Sequence, residues 1–188
     1  MMSRVGTIVA ICVALGAGSW LSAQTINIMT DVTWKATNPK PPTGWNTDLS
    51  FDDSAWQFAV KDGAHPNNNH IWFESINSAD APAYAWFRKV FTLDQPATLA
   101  EGIFTLDDNG QVYVNGHKII DDNGTGASSF DLMVDPSFFN VGQNLIAVHG
   151  ADVLTPFHTI GVNLNIEVPE PATLMLFPLA APLLLRRR

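Results

Sequence analysis

The sequence contains one cysteine, Cys12, and it falls inside the apolar run Thr7–Leu15 near the start of the chain. A leader removed on export takes that cysteine with it, so neither a disulfide nor thiol chemistry is available to the domain that follows. A lipid-modified cysteine needs a small residue before it and a longer basic leader, whereas Ile11 stands there and Arg4 alone precedes the run. Positive charge is also scarce. Between residues 24 and 167 there are seventeen acidic residues, the eighteen of the chain less Glu170, and six basic ones, the ten less Arg4 and the three terminal arginines. The net charge of about −11 repels polyanions and excludes nucleic acid as a partner. No long stretch repeats with a 3.6-residue period, which excludes a helical architecture. Zinc-type cysteine pairs, His-Glu-x-x-His, a phosphate loop, a dinucleotide fingerprint and a Gly-x-Ser-x-Gly elbow are all missing, which argues against an enzyme.

What is present is concentrated first at the two ends. Arg4 and the apolar run are followed by the small residues of Leu21-Ser22-Ala23, a pattern that predicts a signal helix over 1–23 and a signal-peptidase cut before Gln24. The run is shorter than the ~20 residues that a bilayer span needs. It is also uncharged on every face and has no cap before it, which disfavours a buried domain helix. At the other end stand Pro169-Glu170-Pro171, an apolar stretch from Leu174 to Leu185, and Arg186-Arg187-Arg188. Terminal arginines are held on the cytoplasmic side, which halts export with the domain outside. These three elements in this order resemble the PEP-CTERM sorting signal of Gram-negative bacteria. The resemblance implies a helix that holds the protein in the membrane until an exosortase cuts near the Pro-Glu-Pro motif. It also implies a place at the cell envelope, the cell surface or an exopolysaccharide matrix. Pro178 and Pro182 depart from the commoner Gly/Ala/Leu-rich helix of such tails. The expected organisation is therefore a signal peptide at 1–23, one domain at 24–167 and a sorting segment at 168–188.

The middle of the chain consists of short apolar or aromatic runs separated by Gly, Pro, Asn and Asp, which is a β pattern. Expected strands are Asp31–Ala36, His70–Glu74, Ala83–Leu93, Thr98–Leu106, Gln111–Asn115, His117–Ile120, Ser129–Val134, Asn144–His149 and Thr159–Glu167. Asn115-Gly116 predicts a two-residue type I′ turn, which requires positive φ at both positions. An unbroken register from that turn puts Val112 opposite Ile119 and Gly110 opposite Asp121, with Val112, Val114 and Ile119 on the core face. Asp135-Pro136-Ser137-Phe138 predicts a capped single helical turn. Four segments then carry a second resemblance: Phe51-Asp52-Asp53-Ser54-Ala55-Trp56, Ala85–Phe91, Val112–Gly116 and Val141–Val148. In this order they resemble galactose-binding-like jelly rolls, which include the sugar-binding domains attached to glycoside hydrolases. The resemblance covers most of residues 31–167. It implies an all-β, antiparallel sandwich, here flanked by the signal helix and the sorting helix.

Candidate sites follow from residue chemistry. Trp45 sits between Pro41-Pro42-Thr43-Gly44 and Asn46-Thr47-Asp48, a loop context in which an indole face can stack on a sugar ring while Asn46 and Asp48 bind hydroxyls. Trp56 and Trp86 lie inside the resembling segments and Trp72 alternates with apolar neighbours, so all three are expected in the core. Asp-Asp-Asn-Gly occurs at 107–110 and again at 121–124. The unbroken register brings Asp107, Asp108, Asp121 and Asp122 to one edge, where they are either a Ca²⁺ site or two solvated turns. The carboxylate pairs lie in turn-like sequence, a poor setting for flanking a glycosidic bond. Arg88 beside Trp86 and Phe87 reads as a structural ion-pair or stacking residue. The chain is thus expected to be an exported, non-catalytic carbohydrate-binding module associated with polysaccharide. A matrix or adhesion protein without a sugar site, or an accessory module of a glycosidase system, are the competing readings.

Overall fold

The computed structural model describes residues 23–61, 69–74, 83–152 and 158–170; residues 1–22 of the expected signal helix and the expected sorting helix, with Pro171, Arg186, Arg187 and Arg188, lie outside them, while Ala23 begins a strand. Among the described residues twelve strands run in chain order as β1 Ala23–Met29, β2 Lys35–Thr37, β3 Gln57–Phe58, β4 Val60–Lys61, β5 His70–Trp72, β6 Tyr84–Leu93, β7 Leu99–Asp107, β8 Asn109–Val114, β9 His117–Asp122, β10 Ser128–Met133, β11 Gly142–Ala151 and β12 Thr159–Pro169. A 3-10 turn over Pro136–Phe138 precedes β11, with the Asp135 side chain accepting from the Ser137 N–H as its cap. Among the described residues no helix is long and apolar enough to cross a membrane.

The strands form two six-stranded sheets, antiparallel throughout. The first has the order β10-β7-β12-β5-β4, with β1 also on β12; the second has the order β3-β2-β6-β11-β8-β9. Period-2 alternation decides which residues meet between them. The first sheet turns Phe104, Leu106, Ile160, Val162, Leu164 and Ile166 inward, and the second contributes Phe87, Val112, Val114, Ile146 and Val148. Each such side chain contributes about 1.5–3 kcal/mol on leaving water, which identifies this layer as the main source of stability. Trp34 and Trp72 are fully enclosed, both 0 % exposed. The Trp34 indole keeps its donor satisfied by bonding Met29 O at 2.9 Å. Gly150 makes room for Trp72, because a Cβ there would stand 2.8 Å from the indole.

Asn115 (φ 47°) and Gly116 (φ 85°) form the turn that the sequence predicts. Beyond Tyr113↔Lys118 the register departs from expectation. A β-bulge shifts the pairing so that Val112 opposes Ile120, Gln111 opposes Asp121 and Gly110 opposes Asp122. The extra residue is Ile119, so Ile120 takes the core position next to Val112 while Ile119 is partly buried. The first and last strands, β1 and β12, pair from Met29↔Asn163 out to Ala23↔Pro169. Pro169 of the Pro-Glu-Pro motif is therefore the last residue of β12.

Candidate functional site on the outer face of the second sheet

Side chains that alternate away from the core on β6, β11, β8 and β9 share the outer face of the second sheet. Cross-strand pairing sets Trp86, His149, Gln111 and Asp121 in one row and Arg88, Ala147, Tyr113 and Lys118 in the next. The segment from Trp45 to Asp53 lies over the second row, and Arg88 pins it there. The Arg88 side chain is 1 % exposed; Nε donates to Asp53 Oδ2 at 2.9 Å, Nη1 to Trp45 O, and Nη2 to Asp48 O at 3.1 Å. Its guanidinium also stacks over the Phe51 ring at 4.9 Å, and Phe51 meets Trp56 edge-on. Arg88 is thus the structural residue that its sequence neighbours imply. Three donors reaching loop positions far away in sequence let this segment order without strands of its own.

Trp45 is held half-buried in that loop, with its ring edge-on to Tyr113 at 5.8 Å. Asp48 is exposed, and its carboxylate accepts from the Ser50 N–H at 2.8 Å and Ser50 Oγ at 2.7 Å. Those bonds hold the Asp48 carboxyl below the usual carboxylate range. Asn46 is half-buried beside them. The structure therefore brings Trp45, Asn46 and Asp48 into one loop, but it gives one side of Asp48 to the loop's own turn.

Trp86 departs from expectation. It is half-buried on the outer face and stacks on His149 at 4.8 Å, while Tyr84, 49 % exposed, stacks on the same imidazole at 6.1 Å. Phe87, its neighbour of opposite parity, takes the core place. Trp56 is half-buried too, packed against Phe51 and outside the core cluster, whereas Trp72 is core as expected. Burial, and then the Lys40 charge nearby, pushes the His149 pKa down, which favours the neutral form of the ring under Trp86. Gln111 is next in the row: Tyr113 Oη, from the second row, donates to Gln111 Oε1 at 2.7 Å and Gln111 Nε2 to Asp121 Oδ1 at 2.9 Å, with Lys118 Nζ on Asp121 Oδ2. The result is two half-exposed indoles, each backed by a second ring, around a chain of oriented polar groups. Sequence reasoning passed over Trp86, His149, Gln111 and Tyr113. Arg88, two residues on, shares the face of Trp86, but Lys89 stands on the other face, so no local signal places Trp86.

The four aspartates of the repeated tetrapeptide are divided between separate tasks. Asp121 bonds Lys118 and Gln111, and those bonds lower its pKa. Asp122 Oδ1 caps its own turn by accepting from the Gly124 N–H at 2.9 Å. Asp108 is buried and Asp107 half-buried where the chain passes from β7 to β8. Among the described residues no three His, Cys, Asp or Glu side chains converge to hold a metal ion. The expected shared edge differs because Asp107 ends β7 in the first sheet, opposite Thr159, whereas Asp121 and Asp122 lie on β9 of the second sheet, where the bulge sets them opposite Gln111 and Gly110.

No family profile matches the chain, and no curated protein sequence does. Solved structures do show likeness. A β-glycosidase from Bacteroides vulgatus is 20 % identical with a TM-score of 0.45 over 76 % of this chain and 20 % of its own. A β-glucuronidase of Bacteroides uniformis is 24 % identical with a TM-score of 0.49 over 79 % of this chain and 18 % of its own. A glycosyl hydrolase family 2 member from Bacteroides cellulosilyticus is 20 % identical with a TM-score of 0.49 over 74 % of this chain and 20 % of its own. The chain spans about a fifth of the length of these enzymes.

Proposed function

We propose that the protein is an exported, non-catalytic carbohydrate-binding module of the galactose-binding-like kind, processed by signal peptidase and an exosortase and associated with polysaccharide at the cell surface or in the extracellular matrix. The observation that supports it is the pair of half-exposed indoles, Trp45 on Tyr113 and Trp86 on His149, on one sheet face beside the Tyr113–Gln111–Asp121–Lys118 chain. Sugars bind proteins by laying C–H faces on aromatic rings and hydroxyls on fixed amides and carboxylates. The non-catalytic part is supported by the carboxylates. Asp48, Asp52, Asp121 and Asp135 are held by hydrogen bonds within their own turns or to a neighbouring strand residue, a structural use of these side chains, and the sequence carries none of the usual nucleophile, metal or phosphate-loop motifs. The export part rests on the leader and on the Pro169-Glu170-Pro171 tail.

A glycan-array screen of the purified protein tests the proposal, with a Trp45→Ala/Trp86→Ala double variant as its control. Binding by the parent and none by the double variant is the expected result. Binding unaffected by both substitutions, or no binding to any glycan by a folded parent, overturns it.

A further inference from the structure

The opposite face of the sandwich carries a groove of about 140 Å³, lined by Asn69, His70, Ile103, Thr105, Gly161 and Asn163. Strand pairing builds it. His70, Gly161 and Thr105 form one row across β5, β12 and β7, and Asn163 and Ile103 begin the next. The floor depends on a missing side chain, because a Cβ at Gly161 would stand 2.6 Å from His70 Cδ2. The imidazole therefore lies directly on the backbone, with Nδ1 3.3 Å from Thr159 Oγ1.

The walls are fixed from behind. Thr30 bonds the main chain of Asn69 and accepts from the Val162 N–H at 3.0 Å, which ties that rim to β12. Asn27 Nδ2 donates to Asn163 Oδ1 at 2.8 Å and to Asn165 Oδ1 at 2.7 Å, so the Asn163 amide plane is set before any ligand arrives. The lining offers two amides, an imidazole, a hydroxyl and the 48 % exposed Ile103 side chain. Among the described residues the lining contains no Lys, Arg, Asp or Glu. Oriented uncharged donors and acceptors beside one aliphatic wall match a neutral polyhydroxyl ring, and the described lining sets no opposite charge against a carboxylate, phosphate or ammonium group.

We propose that this groove is a second, independent site for one neutral sugar residue of a chain, which would let a single module bridge two polysaccharide strands through opposite faces. It goes beyond the reading above and does not depend on the aromatic face. Nuclear magnetic resonance of the protein with cellotriose, maltotriose and galactotriose as neutral probes, and trigalacturonate and a chitosan trimer as charged ones, tests it. Ring signals of His70 and methyl signals of Ile103 report the groove, while the indole signals of Trp45 and Trp86 report the other face. A neutral trisaccharide should shift His70 and Ile103 in the parent and in Trp45→Ala/Trp86→Ala alike. Thr105→Val or Asn163→Leu should weaken that response by at least about tenfold, the loss of one good hydrogen bond. Indole shifts without groove shifts overturn this proposal and leave the aromatic site standing. Groove shifts without indole shifts do the reverse. Equal response to the charged probes, or groove shifts unmoved by both substitutions, also overturn it.

Discussion

Arg88 links the sandwich to the candidate site, so Arg88→Met, which keeps the stem and removes the guanidinium, is the most informative single change. It deletes the contacts to Asp53 Oδ2, Trp45 O and Asp48 O together with the stacking on Phe51. Breaking a buried pair costs about 3–5 kcal/mol. The Asp53 side chain is 25 % exposed, so water recovers part of its charge, which brings the expected loss to about 3 kcal/mol. The two main-chain carbonyls share in that loss, since they give up charge-assisted bonds and regain water only if the loop lifts. Lifting the loop carries Trp45 off Tyr113, so glycan binding should fall together with stability. Arg88→Lys should recover less than half, because a point charge cannot reach three acceptors at once. Urea denaturation followed by tryptophan fluorescence gives the stability change, and a glycan pull-down gives the binding. A loss below about 1 kcal/mol for Arg88→Met, or a full loss with binding intact, would refute the pinning.

Four further outcomes follow from the same geometry. Trp86→Ala should lose glycan binding at a cost near 1 kcal/mol, as outer-face changes do, whereas Trp72→Ala should cost about 3–5 kcal/mol through cavity formation; chemical denaturation of both variants separates them. Gly116→Ala should cost about 1–2 kcal/mol, since φ is +85° and the new Cβ would stand 2.7 Å from Thr47 Cγ2; a melting temperature equal to that of the parent would contradict it. His149 has a folded pKa below its unfolded value, so it contributes stability that is complete above about pH 6.5 and is lost as pH falls from there toward the lowered value; a urea-midpoint series from pH 7.5 to 5 should show a slope that His149→Phe removes. Intact-mass measurement on material from the native host should show neither Met1 nor Arg188, and retention of either would sink that half of the processing scheme.

How much of this was legible in the sequence can be argued strand by strand. The turn at Asn115-Gly116 and the cap at Asp135-Pro136 were readable because each depends on the backbone preferences of two adjacent residues. The long strands β6, β7, β11 and β12 were readable because their apolar residues recur with period 2 or run continuously. β1 was not, since Ala23–Met29 follows the expected leader and reads as its continuation. The two-residue strands β3 and β4 were not either, because so short a segment has no periodicity. The bulge at Ile119 was hidden for a related reason: Ile119-Ile120 is apolar at both positions, so either residue could take the core place and the local pattern favours neither.

The misplacement of Trp86 shows where local reading ends. On β6 the odd positions are Ala85, Phe87, Lys89, Phe91 and Leu93, and the even ones are Tyr84, Trp86, Arg88, Val90 and Thr92. Each set has aromatic and aliphatic members and one cation, so period 2 divides the strand without saying which half faces inward. Partners distant in sequence decide it. Lys89 leaves the odd face by reaching Thr33 and Asp31 at the margin, while Arg88 is sealed on the even face by a loop that supplies Asp53 and two carbonyls. A cation can be buried only where acceptors meet it. The even face could therefore become the outer one only because residues 45–53 fold over it, and the candidate site exists for the same reason. Exchanging the two cations tests this directly. In Arg88→Lys/Lys89→Arg the composition is unchanged, yet the ammonium now on the even face would reach only part of the acceptor set, and the guanidinium now on the odd face would find only the marginal pair. The loop should then loosen and stability should fall by about 2 kcal/mol or more. A double variant as stable as the parent, with Trp45 still edge-on to Tyr113 by nuclear Overhauser contacts, would mean that strand polarity is set by the apolar residues alone.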